Sequence, residues 1–235
     1  GAQGLVLEAN EATFRRSPTQ VAEDGKRSIK CEGAIVDDRS ARIDCVESLT
    51  GHEAMDRRAK LSDRGAKYRT RFVSMFAKRI FPLSRIHSVS VEGVETPTKP
   101  LRISWSADVR LSRESEHEFM ISMGLSPTLL TRRTVVIPSR TTPLFTTRQF
   151  DIDFHLRLQA EGLYRFTQAT RSDTVDHDML QLERDITVNA THKRLDVRKR
   201  FHLDVGRILP QDYPRWVDTA RKVDTLERLR ITIER

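Results

Sequence analysis

Apolar and polar residues alternate along most of the chain, which is the period of a strand buried on one face only. The longest unbroken example is residues 101–111, where apolar side chains occupy six alternate positions. Residues 150–158 and 195–203 show the same pattern, and at least ten segments do so in total. Nowhere do strands alternate with helices as in a parallel βαβ sheet. The pattern predicts a mainly β fold of antiparallel, sandwich-like sheets.

Two segments carry apolar residues at the helical spacing of three and four instead. Residues 54–81 predict one long amphipathic helix with a basic surface, with Gly65 as a position where it can break and Pro82 as its end. Residues 212–226 predict a short C-terminal helix, and the alternation at 229–233 predicts a closing strand. The apolar stripe of the C-terminal helix consists of Tyr213, Trp216, Val217, Ala220, Val223 and Leu226.

A change of pattern near residue 83 divides the chain. Residues 1–83 contain an opening strand, a hairpin and the basic helix, whereas residues 84–235 are strand after strand up to the C-terminal helix. We therefore expect two parts with this boundary, or one continuous domain built from both. In the first part, residues 27–36 and 41–49 flank the polar turn 37–40 and form the predicted hairpin.

Three shorter segments are less regular. Residues 14–22 are polar and interrupted by a proline, so we expect a loop or linker. Residues 135–137 are apolar and predict a short strand. Residues 163–166 follow a tight turn and are expected to return beside the strand at 150–158.

Cys31 and Cys45 are the only cysteines. Each is seven residues from Asp38, so in a hairpin centred there they lie directly opposite each other, an arrangement from which a cross-strand disulfide forms. The same register opposes Glu32 and Asp44, a like-charge pair that disfavours it. The alternative is two small buried hydrophobic residues. The sequence leaves both interpretations open.

The formal net charge is +8 and the isoelectric point is near 9.9, so nucleic acid or an anionic surface is a partner class to test. The excess lies mainly in residues 54–81, which carry nine basic residues and two acidic ones. Such a helix either lies on a sheet with a solvated basic face or docks on a partner. The candidates for partner binding on this helix are Arg57, Arg58, Lys60, Arg64, Lys67 and Arg71.

Nucleic acid is the less favoured partner, because the aromatic residues that neighbour arginine at 69–72 and 164–166 hold core positions. The sequence also lacks an apolar run long enough to span a membrane, so we expect no transmembrane segment.

Catalytic and metal-binding signatures are absent from the sequence. No G-x-S-x-G, H-E-x-x-H, phosphate-cradling glycine loop or dinucleotide fingerprint occurs, so we expect no cofactor. The acidic run 173–178 lacks the glycine and terminal glutamate of a calcium loop and predicts a solvated turn. A cysteine nucleophile usually sits at a helix N-terminus or beside a cation, whereas Cys31 and Cys45 fall in predicted strands.

Three short sequences, in a fixed order, resemble a known family. The first is Thr50-Gly51-His52-Glu53-Ala54 followed by Arg57-Arg58, the second is Pro210-Gln211-Asp212-Tyr213 with the helix to Leu226, and the third is Ile231-Thr232-Ile233. Together they resemble the C-terminal part of bacterial multidomain transglutaminase-like proteins. In that family an N-terminal β domain precedes a papain-like transglutaminase core, and a β-rich domain follows the core.

The resemblance implies a role and a location. Residues 4–7 look like the segment that leaves the catalytic core, and a chain without an initiator methionine is expected to be part of a longer protein. The catalytic Cys, His and Asp would then lie upstream of Gly1, which makes this chain a non-catalytic β-rich scaffold or protein-interaction module. Its partner would be the catalytic core or another subunit. Its location would be periplasmic or extracellular, where a disulfide between Cys31 and Cys45 persists.

Two other hypotheses remain open. The first alternative is a basic binding module for nucleic acid or an anionic surface, for which the charge of residues 54–81 is the argument. The second is a cysteine-dependent enzyme that uses Cys31 or Cys45.

Overall fold

The computed structural model describes residues 25–125 and 129–235, together with the backbone of two further strands at 3–8 and 11–16. These residues form sixteen strands and four helices, which confirms the predicted mainly β fold. The strands are, in chain order, β1 (Gln3–Glu8), β2 (Glu11–Arg16), β3 (Lys26–Ile35), β4 (Ser40–Leu49), β5 (Ser84–Glu92), β6 (Leu101–Arg110), β7 (Ser112–Arg113), β8 (Glu118–Gly124), β9 (Leu144–Thr146), β10 (Phe150–Ala160), β11 (Arg165–Phe166), β12 (Arg171–His177), β13 (Leu180–Val188), β14 (Arg194–Leu203), β15 (Gly206–Ile208) and β16 (Arg228–Glu234). The helices are α1 (Gly51–Leu61), α2 (Ala66–Ile80), α3 (Leu130–Thr134) and α4 (Tyr213–Glu227).

Eight strands form one large sheet in the order β12-β13-β14-β10-β3-β4-β6-β5. Neighbours run antiparallel with one exception, because β3 and β10 lie parallel with Ile29 beside Phe154. The prediction of antiparallel sheets is therefore wrong at this pair. Parallel neighbours need a long crossover connection, and the chain between these two strands is long enough to provide it. Because β3 and β4 precede residue 83 and the other six strands follow it, the two predicted parts of the chain share this sheet.

Alternation along each strand separates the two faces of the large sheet. On β6, Ile103, Trp105 and Ala107 are buried, whereas Arg102 is exposed. One face therefore carries the core, and the other carries polar and charged residues in water, as antiparallel sheets commonly do. The helices and a smaller sheet bury their apolar side chains against the core face.

The smaller sheet has the order β11-β16-β8-β7 and supplies a second layer. Ile231 and Ile233 of β16, with Phe119 and Ile121 of β8, belong to the same core as the large sheet, which α1 and α2 also join. The predicted closing strand at 229–233 is confirmed as β16. Two sheets over one core correspond to the predicted sandwich-like arrangement, with helices filling the rest of the covered face.

A second core lies toward one end of β10, β13 and β14, beneath α4. This helix matches the predicted helix 212–226 to within one residue at each end. Tyr213 and Trp216 are fully buried in this core, and Trp216 Nε1 donates a hydrogen bond to Thr134 Oγ1 at 3.0 Å. The closing segment of the chain is therefore an integral part of the fold.

The predicted single helix 54–81 is wrong, because the structure has two helices, α1 and α2, in its place. Ser62 is extended, with ψ of 148°, and Asp63 lies in the left-handed region, with φ of 54°. Neither backbone conformation continues a right-handed α-helix. Gly65 then forms the N-cap of α2, so the break falls where the glycine suggested one. Among the described residues, no helix combines the length and apolar character needed to cross a membrane.

The less regular segments depart from the predictions. Residues 135–137 follow α3 and form no strand. Of residues 163–166 only the last two form a strand, β11, which pairs with β16 because β3 and β14 already occupy both edges of β10. Residues 14–16 belong to β2 instead of the expected loop, and the remainder of that predicted loop lies outside the described residues. The acidic run 173–178 lies mostly in β12 instead of a turn.

Cys31 and Cys45 are bonded to each other. They face each other across β3 and β4 with their Cα atoms 4.1 Å apart, and both side chains are buried. This is the register that the hairpin centre predicted. In the bonded state neither sulfur is a thiolate, so a cysteine-dependent enzyme would first need this disulfide reduced.

The like-charge pair in this register is accommodated by the outer neighbours of the hairpin. Glu32 lies opposite Asp44, as the register requires, but both carboxylates face water. Arg157 Nη1 of β10 lies 3.5 Å from Glu32, and the Ser106 hydroxyl of β6 donates a hydrogen bond to Asp44. Each carboxylate therefore has its own partner, and the repulsion between them is screened.

Candidate functional site

A cavity of about 460 Å³ lies between the buried face of the large sheet and helices α1, α2, α3 and α4. Its volume falls within the range of small-molecule sites, about 300–1,000 Å³. The elements β3, α1 and α2 contribute mainly charged residues to it, whereas β9, β10, β14 and α4 contribute mainly apolar ones. The cationic side chains that line the cavity are Arg27, Arg57, Lys60, Arg79, Arg133 and Arg148.

Two of these arginines share one buried carboxylate. Arg27 of β3 donates a hydrogen bond through Nε to Glu47 Oε1 of β4 at 2.7 Å, and Arg57 Nη2 of α1 lies 3.9 Å from the same oxygen. All three side chains are less than a tenth exposed. We call these three residues the Arg27–Glu47–Arg57 cluster. With two positive charges and one negative charge, the cluster is buried and carries a net charge of +1.

The Nη2 atom of Arg27 is buried and has no hydrogen-bond partner among the described residues. Buried polar atoms are nearly always hydrogen-bonded, because an unpaired one has lost its hydration without replacement. Arg27 also lines the cavity, so this unpaired donor belongs to a residue of the cavity wall. This donor and the cationic lining together mark the cavity as the candidate site for an anion.

Aromatic rings hold two of the guanidinium groups. Arg57 lies over Phe76 with its Cζ 3.6 Å from the ring centroid, and Arg133 lies over Phe150 at 4.8 Å. A cation–π contact orients the planar group without using its N–H donors. These arginines are thus held in place while their hydrogen-bonding edges stay available to another partner.

Burial lowers the pKa of Arg57, with the charge of Glu47 acting in the opposite direction. Burial likewise lowers the pKa of Arg133, which the charge of Glu53 opposes. A guanidinium group remains protonated in proteins even so. The lowered values mean that the protein solvates these charges less well than water does. An anion in the cavity would restore part of that lost solvation.

The carboxylates of the cavity do not neutralise its cations. Among the described residues, three carboxylates, Glu53, Asp56 and Glu227, line it against six cationic groups. Asp56 forms an ion pair with Arg148. Glu227 accepts two hydrogen bonds from the buried Lys199 Nζ, at 2.8 and 2.9 Å, so its charge is already compensated from behind the cavity. The lining as a whole is positive.

Apolar side chains, with three threonines, form the rest of the lining. They come from the strands β9, β10 and β14 and from helices α3 and α4, and most belong to the second core. An anion with no apolar part would leave this surface against water. The apolar lining residues on these elements are Leu130, Leu144, Phe145, Phe150, Ile152, Phe201, Leu203 and Val223.

The six predicted partner-binding residues fall into three groups. Arg57 and Lys60 line the cavity. Arg58 donates hydrogen bonds to three backbone oxygens in the loop 93–99 and so holds that loop against α1. The remaining three, which are exposed, are Arg64, Lys67 and Arg71. The structure therefore brings only two of the six into the cavity.

Sequence reasoning missed most of the cavity. Arg27 and Glu47 occupy buried positions on β3 and β4, where the alternation otherwise places apolar residues. The signal in the sequence is a pair of opposite charges at positions of neighbouring strands where the alternation calls for apolar residues. Arg133 and Arg148 lie in or beside irregular segments, where no periodic pattern marks them.

The acidic run 173–178 forms no metal site in the structure. Because alternate residues of β12 face opposite sides, Asp173 accepts hydrogen bonds from the buried Arg184, whereas Asp176 is exposed. Within the described ranges, no group of three potential metal ligands occurs. The arginine-lined cavity is accordingly the site that we consider for function.

The chemistry that this arrangement offers is anion binding, since it presents fixed cationic groups and an unpaired donor beside an apolar surface. The transglutaminase-like resemblance stays a prediction. In comparisons with protein-family models, curated proteins and solved structures, nothing matches this chain.

Proposed function

We propose that this chain is a binding module that holds a small organic anion in the arginine-lined cavity. The observation that carries the proposal is the buried Nη2 of Arg27, a donor without an acceptor in the described residues, beside a cluster of net positive charge. Guanidinium groups bind carboxylate and phosphate groups through strong, charge-assisted hydrogen bonds. A bound anion would complete this hydrogen bond and neutralise the Arg27–Glu47–Arg57 cluster.

The proposal keeps the predicted basic binding module but changes where its charges lie. A basic binding module was expected to present its charges on the outside of one long helix. The cavity instead uses Arg57 and Lys60 of α1 together with arginines from β3, α2 and α3. A non-catalytic role is part of the proposal, and the bonded state of both cysteines supports it.

Thermal unfolding with and without benzoate at low ionic strength tests the proposal. A ligand that binds the native state alone raises the melting temperature with its concentration. We expect benzoate to raise the melting temperature of the wild type and of an Arg64→Met control, because Arg64 is exposed outside the cavity. Arg57→Met should lose most of this rise, while Glu47 keeps its hydrogen bond from Arg27 and the fold persists. An equal rise in Arg57→Met, or none in the wild type, would contradict the proposal.

A second candidate function is docking of a protein partner on the outer face of α2. Tyr68 and Met75 of α2 are 42% and 47% exposed, so they lie on the side of the helix that faces away from the core. Basic residues flank them. Large apolar side chains within a basic surface favour an acidic protein partner, such as the transglutaminase-like core that the resemblance implies. The basic residues concerned are Arg64, Lys67 and Arg71.

Charge reversal tests this second candidate. Replacing the three basic residues with glutamate should weaken co-purification with such a core and leave the melting temperature unchanged, because all three are exposed. Arg57→Met is the matched control, since it alters the cavity and not this face. Unchanged co-purification of the triple variant would exclude this surface.

A further inference from the structure

The two kinds of lining in the cavity identify a class of ligand. Resting on the proposed function, we infer that the ligand is an anionic amphiphile, a carboxylate carried on an extended apolar chain. The carboxylate lies at the Arg27–Glu47–Arg57 cluster, and the apolar chain lies against β9, β10 and β14. Charge, hydrogen bonding, lining and access each support one part of this inference.

The head of the ligand is set by the charge of the cluster. Arg27 and Arg57 carry two positive charges and Glu47 returns one, so a single negative charge neutralises the cluster. Arg27 uses Nε for Glu47, and its buried Nη2 has no hydrogen-bond partner among the described residues. A carboxylate supplies one charge and oxygen acceptors for both arginines at once.

The tail of the ligand is set by the apolar lining. Ile152, Phe201 and Leu203 come from adjacent strands of the sheet, and Leu144 and Val223 face them from β9 and α4. Replacing water on this surface with an apolar group lowers the free energy. An inorganic anion would leave the surface wet, so the lining selects a ligand that carries an apolar chain.

The ribbon formed by β9 and β15 is one place where the cavity meets solvent. Phe145 lines the cavity and is nevertheless 62% exposed, so it stands at the boundary with solvent. Beside it, Arg148 reaches Asp56 of α1 across the same rim, and both side chains are about half exposed. An exposed aromatic residue at the mouth suits a ligand whose chain enters along an apolar path.

Isothermal titration calorimetry with three probes tests the inference on the full chain. The probes are hexanoate and decanoate, each below its micelle concentration, and 1-decanol below its solubility limit. Each buried methylene strengthens binding roughly fourfold at most, so we expect decanoate to bind at least about tenfold more tightly than hexanoate. Decanol lacks the charge and should bind at least about tenfold more weakly than decanoate.

Three variants separate the head from the tail. Arg57→Met should remove measurable binding of both carboxylates, and Arg57→Gln serves the same purpose if the first variant fails to fold. Ile152→Thr keeps a β-branched strand residue but adds a hydroxyl to the apolar lining. It should weaken decanoate roughly tenfold and leave hexanoate within about twofold. Circular dichroism melts establish that each variant is folded.

The outcomes distinguish the inference from the proposed function. Equal affinities for hexanoate and decanoate, both lost in Arg57→Met, would refute the amphiphile and leave the anion site standing. Equal affinities for decanoate and decanol would show that the carboxylate contributes nothing, and both proposals would fail. Absence of carboxylate binding to the wild type would likewise overturn both.

Discussion

Replacing Glu47 with glutamine probes the buried cluster most directly. The substitution keeps the shape of the side chain and removes its charge, so Arg27 and Arg57 would lie close together with no carboxylate between them. All three side chains are less than a tenth exposed, which means that water cannot replace the missing charge. Breaking a buried ion pair costs about 3–5 kcal/mol.

We expect a loss near the lower end of that range, about 3 kcal/mol in the free energy of unfolding. The glutamine Oε1 can still accept the hydrogen bond from Arg27 Nε, so the loss comes from the charge and not from an unpaired donor. Urea denaturation measures it, with an unchanged dependence on urea as the sign that both states are otherwise preserved.

The matched control is Glu32→Gln on the neighbouring strand. Glu32 is 72% exposed and lies 3.5 Å from Arg157, so this surface pair should contribute about 1 kcal/mol or less. If Glu47→Gln lost no more stability than Glu32→Gln, the buried cluster would not be charged as described, and the anion site inferred from it would fall. A benzoate-induced rise in melting temperature that is larger in Glu47→Gln than in the wild type would agree with the reasoning, because the variant lacks its own anion.

Three further predictions concern the rest of the fold. Reducing the Cys31–Cys45 disulfide, whose partners are 14 residues apart, should lower the free energy of unfolding by about 3 kcal/mol in urea denaturation, and a loss below about 1 kcal/mol would contradict this. Burial, aided by the charge of Arg215, lowers the pKa of His177, so the unfolded chain takes up this proton first. Stability should then fall as the pH drops through the ordinary histidine value of about 6.5, and His177→Gln should show a shallower fall in melts at successive pH values. Trp216→Ala should cost about 3–5 kcal/mol, because the ring is fully buried; a loss under about 1 kcal/mol would place it outside the core.

Local patterns predicted the elements whose burial is local in origin. Each strand of the core alternates because one of its faces is covered, and this holds for β6 and β16 whatever their neighbours are. The opposition of Cys31 and Cys45 followed from the centre of their hairpin. The helix at 212–226 was predictable for the same reason, since its apolar stripe needs only one covered face.

The features that the patterns missed depend on contacts between distant residues. The parallel pairing of β3 with β10 depends on which strand edge remains open after each hairpin forms. A local sequence pattern does not show which edge that is. The break between α1 and α2 depends on the backbone of Ser62 and Asp63, both of which helices tolerate in other settings. The role of the charges on Arg27 and Glu47 becomes clear only in the folded chain, where α1 places Arg57 beside Glu47.

The parallel pair has a consequence for how the chain folds. Antiparallel pairings join the strands on one side of this pair, which are β3, β4, β5 and β6. Antiparallel pairings also join the strands on the other side, which are β10, β12, β13 and β14. Each half can therefore assemble from a short stretch of chain. Only β3 and β10 connect the halves within the large sheet. We expect each half to form early and their union to limit the folding rate, since contacts of high sequence separation form slowly. Until β10 has been synthesised, β3 is an open edge able to pair with another molecule. Once formed, the disulfide fixes the register of this edge strand on β4.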